Sequence, residues 1–174
     1  MEGLFCNKFV RDEDTAKEVY VYWYFKKPLL IVVYSIIALY SLVCILGFIL
    51  DFDSAKEALG VFVVGIFVFV FMIVSYHSQV KAMVQRDKEM SGGKPLCCEI
   101  SVGENEITLS ALDSRSSVAM SNIKSAFETE NYIVVLTKAR LMFIFKKDSF
   151  TKGDAESFIA FLKEKGIKVK GKTN

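Results

Sequence analysis

The chain has few of the residues that build catalytic and metal sites. Its 174 residues include a single histidine, His77, and four cysteines, Cys6, Cys44, Cys97 and Cys98, with no CxxC spacing. A zinc site needs cysteine or histidine ligands grouped at short spacing. The sequence also shows no nucleophile–base pair and no glycine-rich phosphate loop. We therefore expect no enzymatic activity, no metal and no other cofactor.

A strong net charge is also missing. The formal net charge of +2 argues against nucleic acid as a partner. The unpaired cysteines fit reduced thiols in a cytoplasmic compartment. Lipidation of Cys97 or Cys98 is an open alternative.

Charge is absent from two long apolar runs, Leu29–Leu50 and Leu59–Tyr76, of 22 and 18 residues. Uncharged runs of this length are typical of membrane-spanning helices, because hydrocarbon cannot solvate a charge or a bare backbone. As helices they would be roughly 33 and 27 Å long. Only residues 51–58 connect them. The sequence therefore predicts a transmembrane helical hairpin over residues 29–76, with the lipid bilayer as its first partner.

The segment before the hairpin, residues 1–28, is predicted to hold a strand at 4–10 and an amphipathic helix capped by Asp12 or Asp14. The helix ends in aromatic residues and lysines, and such side chains settle at membrane interfaces. A soluble helix packed on the following domain is an equal alternative. The predicted interface anchors are Tyr22, Trp23, Tyr24, Lys26, Lys27, Tyr76 and Lys81.

After the second run, the helical pattern of Val80, Met83, Val84 and Met90 continues to the segment Ser91–Pro95. Two glycines and a proline there predict a linker, so residues 77–95 form a helical extension and a domain boundary. From residue 96 the pattern alternates, which predicts short antiparallel strands. The six predicted strands are 96–102, 106–112, 117–123, 124–130, 132–138 and 140–145.

A final amphipathic helix is predicted to begin near Thr151, which has Asp154 three residues later, and to end before Gly166. Its apolar stripe, Ala155, Phe158, Ile159 and Leu162, should cover the sheet. Residues 167–174 are a basic tail. One hypothesis is that lysines of this region bind an anionic membrane surface, and the other is that the tail is simply solvated. The lysines concerned are Lys163, Lys165, Lys168, Lys170 and Lys172.

Strands followed by one terminal helix resemble a pleckstrin-homology-like (PH-like) domain, here residues 96–166, whose usual seventh strand could come from residues 4–10. With the hairpin before it, the ending Tyr132–Phe145, Phe150 and Thr151–Lys165 resembles the bacterial YcxB-like family. The resemblance implies an α+β membrane protein of a bacterial cell membrane: a two-helix hairpin, then a small antiparallel β domain closed by a C-terminal helix. The family brings no catalytic residues.

Lysine and arginine near the span ends predict that both termini are cytoplasmic. Six such residues lie on that side and one in the connection: Lys17, Lys26, Lys27, Lys81, Arg86 and Lys88 against Lys56.

Two functions are compatible with this reading. One is a PH-like domain that binds or senses another protein at the cytoplasmic face, for example by strand addition to a sheet edge. The alternative is an immunity protein that protects the cell against a bacteriocin or secreted toxin. The acidic segment Gly103–Glu106, taken as the loop between the first two strands, argues against binding phosphoinositides as eukaryotic PH domains do. The partner protein and the oligomeric state stay open.

Overall fold

The computed structural model describes residues 3–26, 28–49, 54–112 and 114–170. These residues form two compact units, one made of residues 3–19 and 84–170 and the other of residues 20–83. We call the first the β-domain and the second the hairpin.

The elements follow one another as β1 Phe5–Arg11, α1 Glu13–Val21, a π-helical turn Tyr22–Lys26, α2 Pro28–Ile49, α3 Ser54–Ser91, β2 Leu96–Val102, β3 Glu106–Ala111, β4 Ser114–Ala119, a 3₁₀ turn Met120–Asn122, β5 Ile123–Glu128, β6 Tyr132–Thr137, β7 Met142–Lys146, β8 Phe150–Lys152, α4 Ala155–Glu164 and β9 Val169–Lys170.

The hairpin contains the two apolar helices that the sequence predicts. Stretches within α2 and α3, Leu30–Gly47 and Val63–Ser91, are long and apolar enough to cross a membrane, and their 18-residue apolar windows have mean hydropathies of 2.5 and 1.9. The predicted connection 51–58 is too long, because α3 already begins at Ser54. Residues 55–58, AKEA, are strong helix formers and extend the helix. Residues 51–53 lie outside the described part.

The β-domain is organised around β1. The first sheet has the order β4-β3-β2-β1-β8. Seven antiparallel pairs join β1 to β2, from Phe5↔Val102 to Arg11↔Leu96. The strand predicted at 4–10 is therefore confirmed, and it lies inside the sheet. The hairpin is thus inserted, along the chain, between two neighbouring strands of one sheet.

This pairing changes the predicted domain limits. The sequence places the boundary at Ser91–Pro95 and treats residues 1–28 as one segment, whereas the β-domain includes residues 3–19 and resumes at Val84. The turn at Gly103–Glu106 joins β2 to β3, so it does not lie between the first two strands of the sheet. The acidic turn therefore does not correspond to the loop between the first two strands, and its charge gives no reason to exclude phosphoinositides.

The second sheet has the order β7-β6-β5-β9. Most of its pairs are antiparallel as predicted, but β9 pairs with β5 in parallel, which the sequence prediction missed. The sequence prediction also missed β8 in the first sheet.

The predicted start of β4 is three residues too late. Leu112 adopts a positive φ of 53°, so the turn between β3 and β4 is tight and Ser114 already pairs with Ala111. Residues 120–122 are consequently a 3₁₀ turn and not strand.

Helix α1 packs on the β-domain through its first two turns. Asp12 Oδ1 accepts a hydrogen bond from the Thr15 backbone N–H at 2.9 Å, which confirms Asp12 as the cap. The Thr15 hydroxyl contacts the Tyr132 hydroxyl at 2.9 Å. Glu18 accepts hydrogen bonds from the backbone and side chain of Asn131 at 2.8 and 2.9 Å. Residues 13–19 are therefore a helix packed on the β-domain, which is the second of the two alternatives for this segment.

Helix α4 closes the core as its apolar stripe predicts. Phe158 and Leu162 are fully buried among core residues of both sheets. The predicted cap at Thr151 is wrong, because Thr151 belongs to β8 and Asp154 accepts from the Ser157 N–H at 2.8 Å. Gly166, with a φ of 76°, ends the helix as predicted. The turn is held by the hydrogen bonds Gly166 N–H to Lys163 and Ile167 N–H to Leu162, both 2.9 Å.

The β1–β2 pairing makes a direct prediction about which fragment folds. Residues 96–174 alone lack the strand that covers β2, and they should not give a cooperative unfolding transition. Residues 3–19 joined to 84–174 by a flexible Gly/Ser linker should give one, together with a β-rich circular dichroism spectrum. Equal cooperativity of the two fragments would contradict the central place of β1.

Candidate interaction sites

The two sheets have four outer edges, and three of them offer little to a partner. β8 has three residues and β9 has two. The edge of β7 is met by the side chain of Asn7, which is fully buried. Asn7 Nδ2 donates to the Lys146 carbonyl at 2.7 Å, and its Oδ1 accepts from the Lys146 N–H at 3.1 Å. The Asn7 amide thus takes the place of a paired backbone at Lys146, the last residue of β7.

The fourth edge, β4, is open over its whole length. Its six residues, SRSSVA, all pair with β3, and no other element of the described chain pairs with its outer side. Val118 is half-buried against the core, and the remaining five side chains are exposed. An edge strand of this kind presents unpaired N–H and C=O groups that can pair with another chain. It contains no proline and only one charge, Arg115.

The structure brings together only some of the predicted interface anchors. Within the hairpin, the rings of Tyr24 and Tyr76 lie 6.4 Å apart, and Phe25 lies 5.6 Å from Tyr76. Tyr22 is only 7 % exposed, unlike a ring that projects into a headgroup layer. Trp23 and Lys81 are exposed. The Lys26 side chain and Lys27 lie outside the described part.

The lysines predicted to meet an anionic surface lie at the end of α4 and on the segment that follows. Lys163, Lys165, Lys168 and Lys170 are all exposed. Lys165 lies over the Phe161 ring at 5.5 Å. Lys172 is not among the described residues. Exposure alone fits both hypotheses for this region, the anionic surface and the solvated tail.

A site that the sequence prediction missed lies where β1 ends and β2 begins. A cleft of about 400 Å³ there is lined by Val10, Arg11, Asp12, Glu13, Val84, Asp87, Lys88, Gly93, Lys94, Pro95 and Leu96. All of these residues belong to the β-domain.

An ion pair forms one wall of this cleft. Arg11 binds the Asp87 carboxylate through two hydrogen bonds, Nε to Oδ2 at 2.6 Å and Nη2 to Oδ1. Both side chains are nearly buried, with 13 % and 11 % exposed. The one local sign of this pair is the spacing of Val80, Met83 and Asp87, which puts an acid on the buried face of α3. Met90, assigned to that face from the sequence, is half exposed.

The cysteines and histidine show no sign of a metal site. No cluster of histidine, cysteine, aspartate or glutamate in the described residues could hold an ion. Cys97 is exposed and Cys98 is buried. Burial raises the pKa of the Cys98 thiol, so it is a poor nucleophile.

The Arg11–Asp87 pair should be strongly coupled. Asp87→Ala leaves a nearly buried guanidinium without a partner and should destabilise the β-domain by about 3 kcal/mol. The double variant Arg11→Met with Asp87→Leu should lose far less, since neither charge remains. Urea unfolding of the four proteins in a double-mutant cycle measures the coupling. Additive losses would show that the pair contributes nothing.

Comparison with known proteins agrees with the sequence resemblance. Residues 102–162 match the family model of the YcxB-like protein. No curated protein matches the chain. The matched segment runs from the last residue of β2 into α4, so it covers most of the β-domain and none of the hairpin. The family resemblance is therefore confirmed, and residues 102–162 are a YcxB-like segment.

Proposed function

We propose that this chain is a non-enzymatic bacterial membrane protein that presents a PH-like interaction domain at the cytoplasmic face. In this proposal α2 and α3 span the bilayer, and the outer edge of β4 binds an extended segment of another protein. The observation that carries it is the contrast between β4, open over six residues, and the other three edges, of which two are short and β7 is met by Asn7 at Lys146.

Exposure of the apolar side chains supports membrane insertion. None of the Leu30–Gly47 window is buried, and only 6 % of the 18-residue apolar window within Val63–Ser91 is. Leu39, Phe67 and Phe71 are 64 %, 72 % and 71 % exposed. Core helices of soluble proteins bury such side chains, whereas lipid-facing helices leave them on the surface.

The strand order supports a PH-like domain. β1 to β4 form a meander in one sheet, β5 to β7 form a meander in the second, and α4 packs on the core between them. The seven strands β1–β7 and helix α4 fit the resemblance drawn from the sequence, and the short strands β8 and β9 are additional to it. The connection between the first two strands is the unusual part, since it carries both apolar helices.

The chemistry of β4 defines the partner segment. Main-chain pairing requires an extended backbone but little sequence, so affinity comes mainly from hydrogen bonds. Arg115, Ser117 and Ala119 share the face opposite Val118. We expect small or hydroxyl side chains in the partner and an acidic residue opposite Arg115.

A photo-crosslinking residue at Arg115 should capture this partner in native membranes, and one at exposed Lys138 should not. Successive N–H groups of an edge strand point alternately towards β3 and outwards. Proline is therefore placed separately at Ser116 and at Ser117. In the proline variant that keeps normal thermal stability, the yield of the Arg115 adduct should fall about tenfold. The same adduct from Lys138, or one that survives the stable proline, would rule out strand addition.

The immunity alternative leads to a different result in the same experiment. A toxin contact made by the hairpin or by residues 51–58 would not need the β4 edge. Proline in β4 would then leave protection of a toxin-sensitive strain unchanged. Loss of the β4 adduct with no change in toxin sensitivity would favour the interaction domain.

The proposed topology puts both termini in the cytoplasm. After replacement of Cys6, Cys44, Cys97 and Cys98 by serine, Ser54→Cys should react with a membrane-impermeant maleimide in intact cells. Ser116→Cys should react only after permeabilisation, which also serves as its control. The reverse labelling pattern would overturn the topology and the cytoplasmic interaction domain with it.

A further inference from the structure

The cleft between the end of β1 and the start of β2 has two cationic groups with no ion-pair partner in the described part of the chain. Lys88 and Lys94 line it, and neither makes an ion pair with any acid among the described residues. Both side chains are exposed. Lys94 lies on the turn Ser91–Lys94, which is closed by the hydrogen bonds Gly93 N–H to Lys88 at 2.8 Å and Ser91 Oγ to the Lys94 carbonyl at 2.5 Å.

The three carboxylates of the cleft are already engaged. Asp87 is held by Arg11. Glu13 pairs with Lys17 at 3.0 Å. Burial by itself would raise the pKa of Asp12, but hydrogen bonds from the Thr15 N–H and hydroxyl keep that pKa below its usual range. Asp12 and Glu13 stay ionised, and their charges are offset by Lys146 and Lys17, which lie outside the lining. Lys88 and Lys94 are therefore the lining charges that no acid of the described residues pairs with.

The same cleft also has an apolar part. Val10, Val84, Pro95 and Leu96 add apolar surface to its lining. Val10 is 49 % exposed although it lies on a strand inside the sheet. An inorganic ion would use the lysines and leave this surface in water. A ligand that carries both a phosphate and a hydrocarbon part would use both.

We propose that the cleft binds the headgroup of an anionic phospholipid. The phosphate diester contacts the Lys88 and Lys94 ammonium groups, and the glycerol carbons lie against Val10 and Val84. A phosphate diester matches two ammonium groups without a close array of arginines. Free phosphate shares this chemistry, so the experiment separates the two sources. The inference does not depend on the β4 edge.

Binding of phosphatidylglycerol and phosphatidylcholine to the purified full-length chain in detergent can be measured by native mass spectrometry. The wild type should bind phosphatidylglycerol more tightly. Lys88→Gln with Lys94→Gln should weaken that binding by about thirtyfold. Lys124→Gln with Lys138→Gln removes the same charge from exposed sites outside the cleft and should have little effect. Lys88→Arg with Lys94→Arg should keep the preference.

A second variant tests the cleft without removing the lysines. Val10→Asp places a carboxylate against the headgroup and should also abolish the preference, with thermal unfolding measured alongside for every variant. Equal losses from the two glutamine pairs would reduce the effect to diffuse electrostatics. No loss from the cleft pair would place the lipid on another surface. Displacement by millimolar inorganic phosphate would assign the site to the free ion. Each of these three results overturns the proposal.

Discussion

The pairing of β1 with β2 is the contact on which the rest of the β-domain depends. It places Phe5 in the core and sets Asn7 opposite the edge of β7. It also offers β8 a neighbour through Cys6 and Asn7. A sheet that begins with β2 would expose the buried side of Ile100 and Val102 and would leave β8 unpaired. One strand therefore joins the first sheet, the second sheet and the core.

Forming the β1–β2 pairing costs the chain conformational entropy. Arg11 and Leu96 are paired although 85 positions separate them. Closing a flexible loop of that length loses considerable chain entropy, and non-local pairs of this kind form slowly. The inserted hairpin reduces the effective loop, because α2 lies against α3. Gly65 leaves little room for a side chain beside Ile37, and the Tyr34 hydroxyl donates to the Met72 sulfur at 2.7 Å. A hairpin formed first brings its two ends back together and leaves a much shorter loop to close.

Local patterns predicted the parts of the fold that local physics determines. The length of two uncharged apolar runs located α2 and most of α3, and hydrophobic periodicity located the end of α3 and the stripe of α4. Alternation gave β2 with its exact ends. Three kinds of feature were beyond it. β8 and β9 are too short to carry a pattern. The positive φ of Leu112 has no signature in a non-glycine residue. The spacing of Val80, Met83 and Asp87 could indicate a buried acid, but it could not identify Arg11 as its partner, because the fold brings the two together over 76 positions.

The cleft exists because of that insertion. In a meander with a short β1–β2 turn, the ends of the two strands would be joined directly and would enclose no space. Here β1 leads into α1, and α3 leads into β2. The cap residue Asp12 and the helical residues Glu13, Val84 and Lys88 form the walls. The Arg11–Asp87 pair fastens the end of β1 to α3 and neutralises two charges that would otherwise dominate the cleft. The same constraint that closes the sheet therefore also creates a pocket beside it and decides which charges in that pocket remain available.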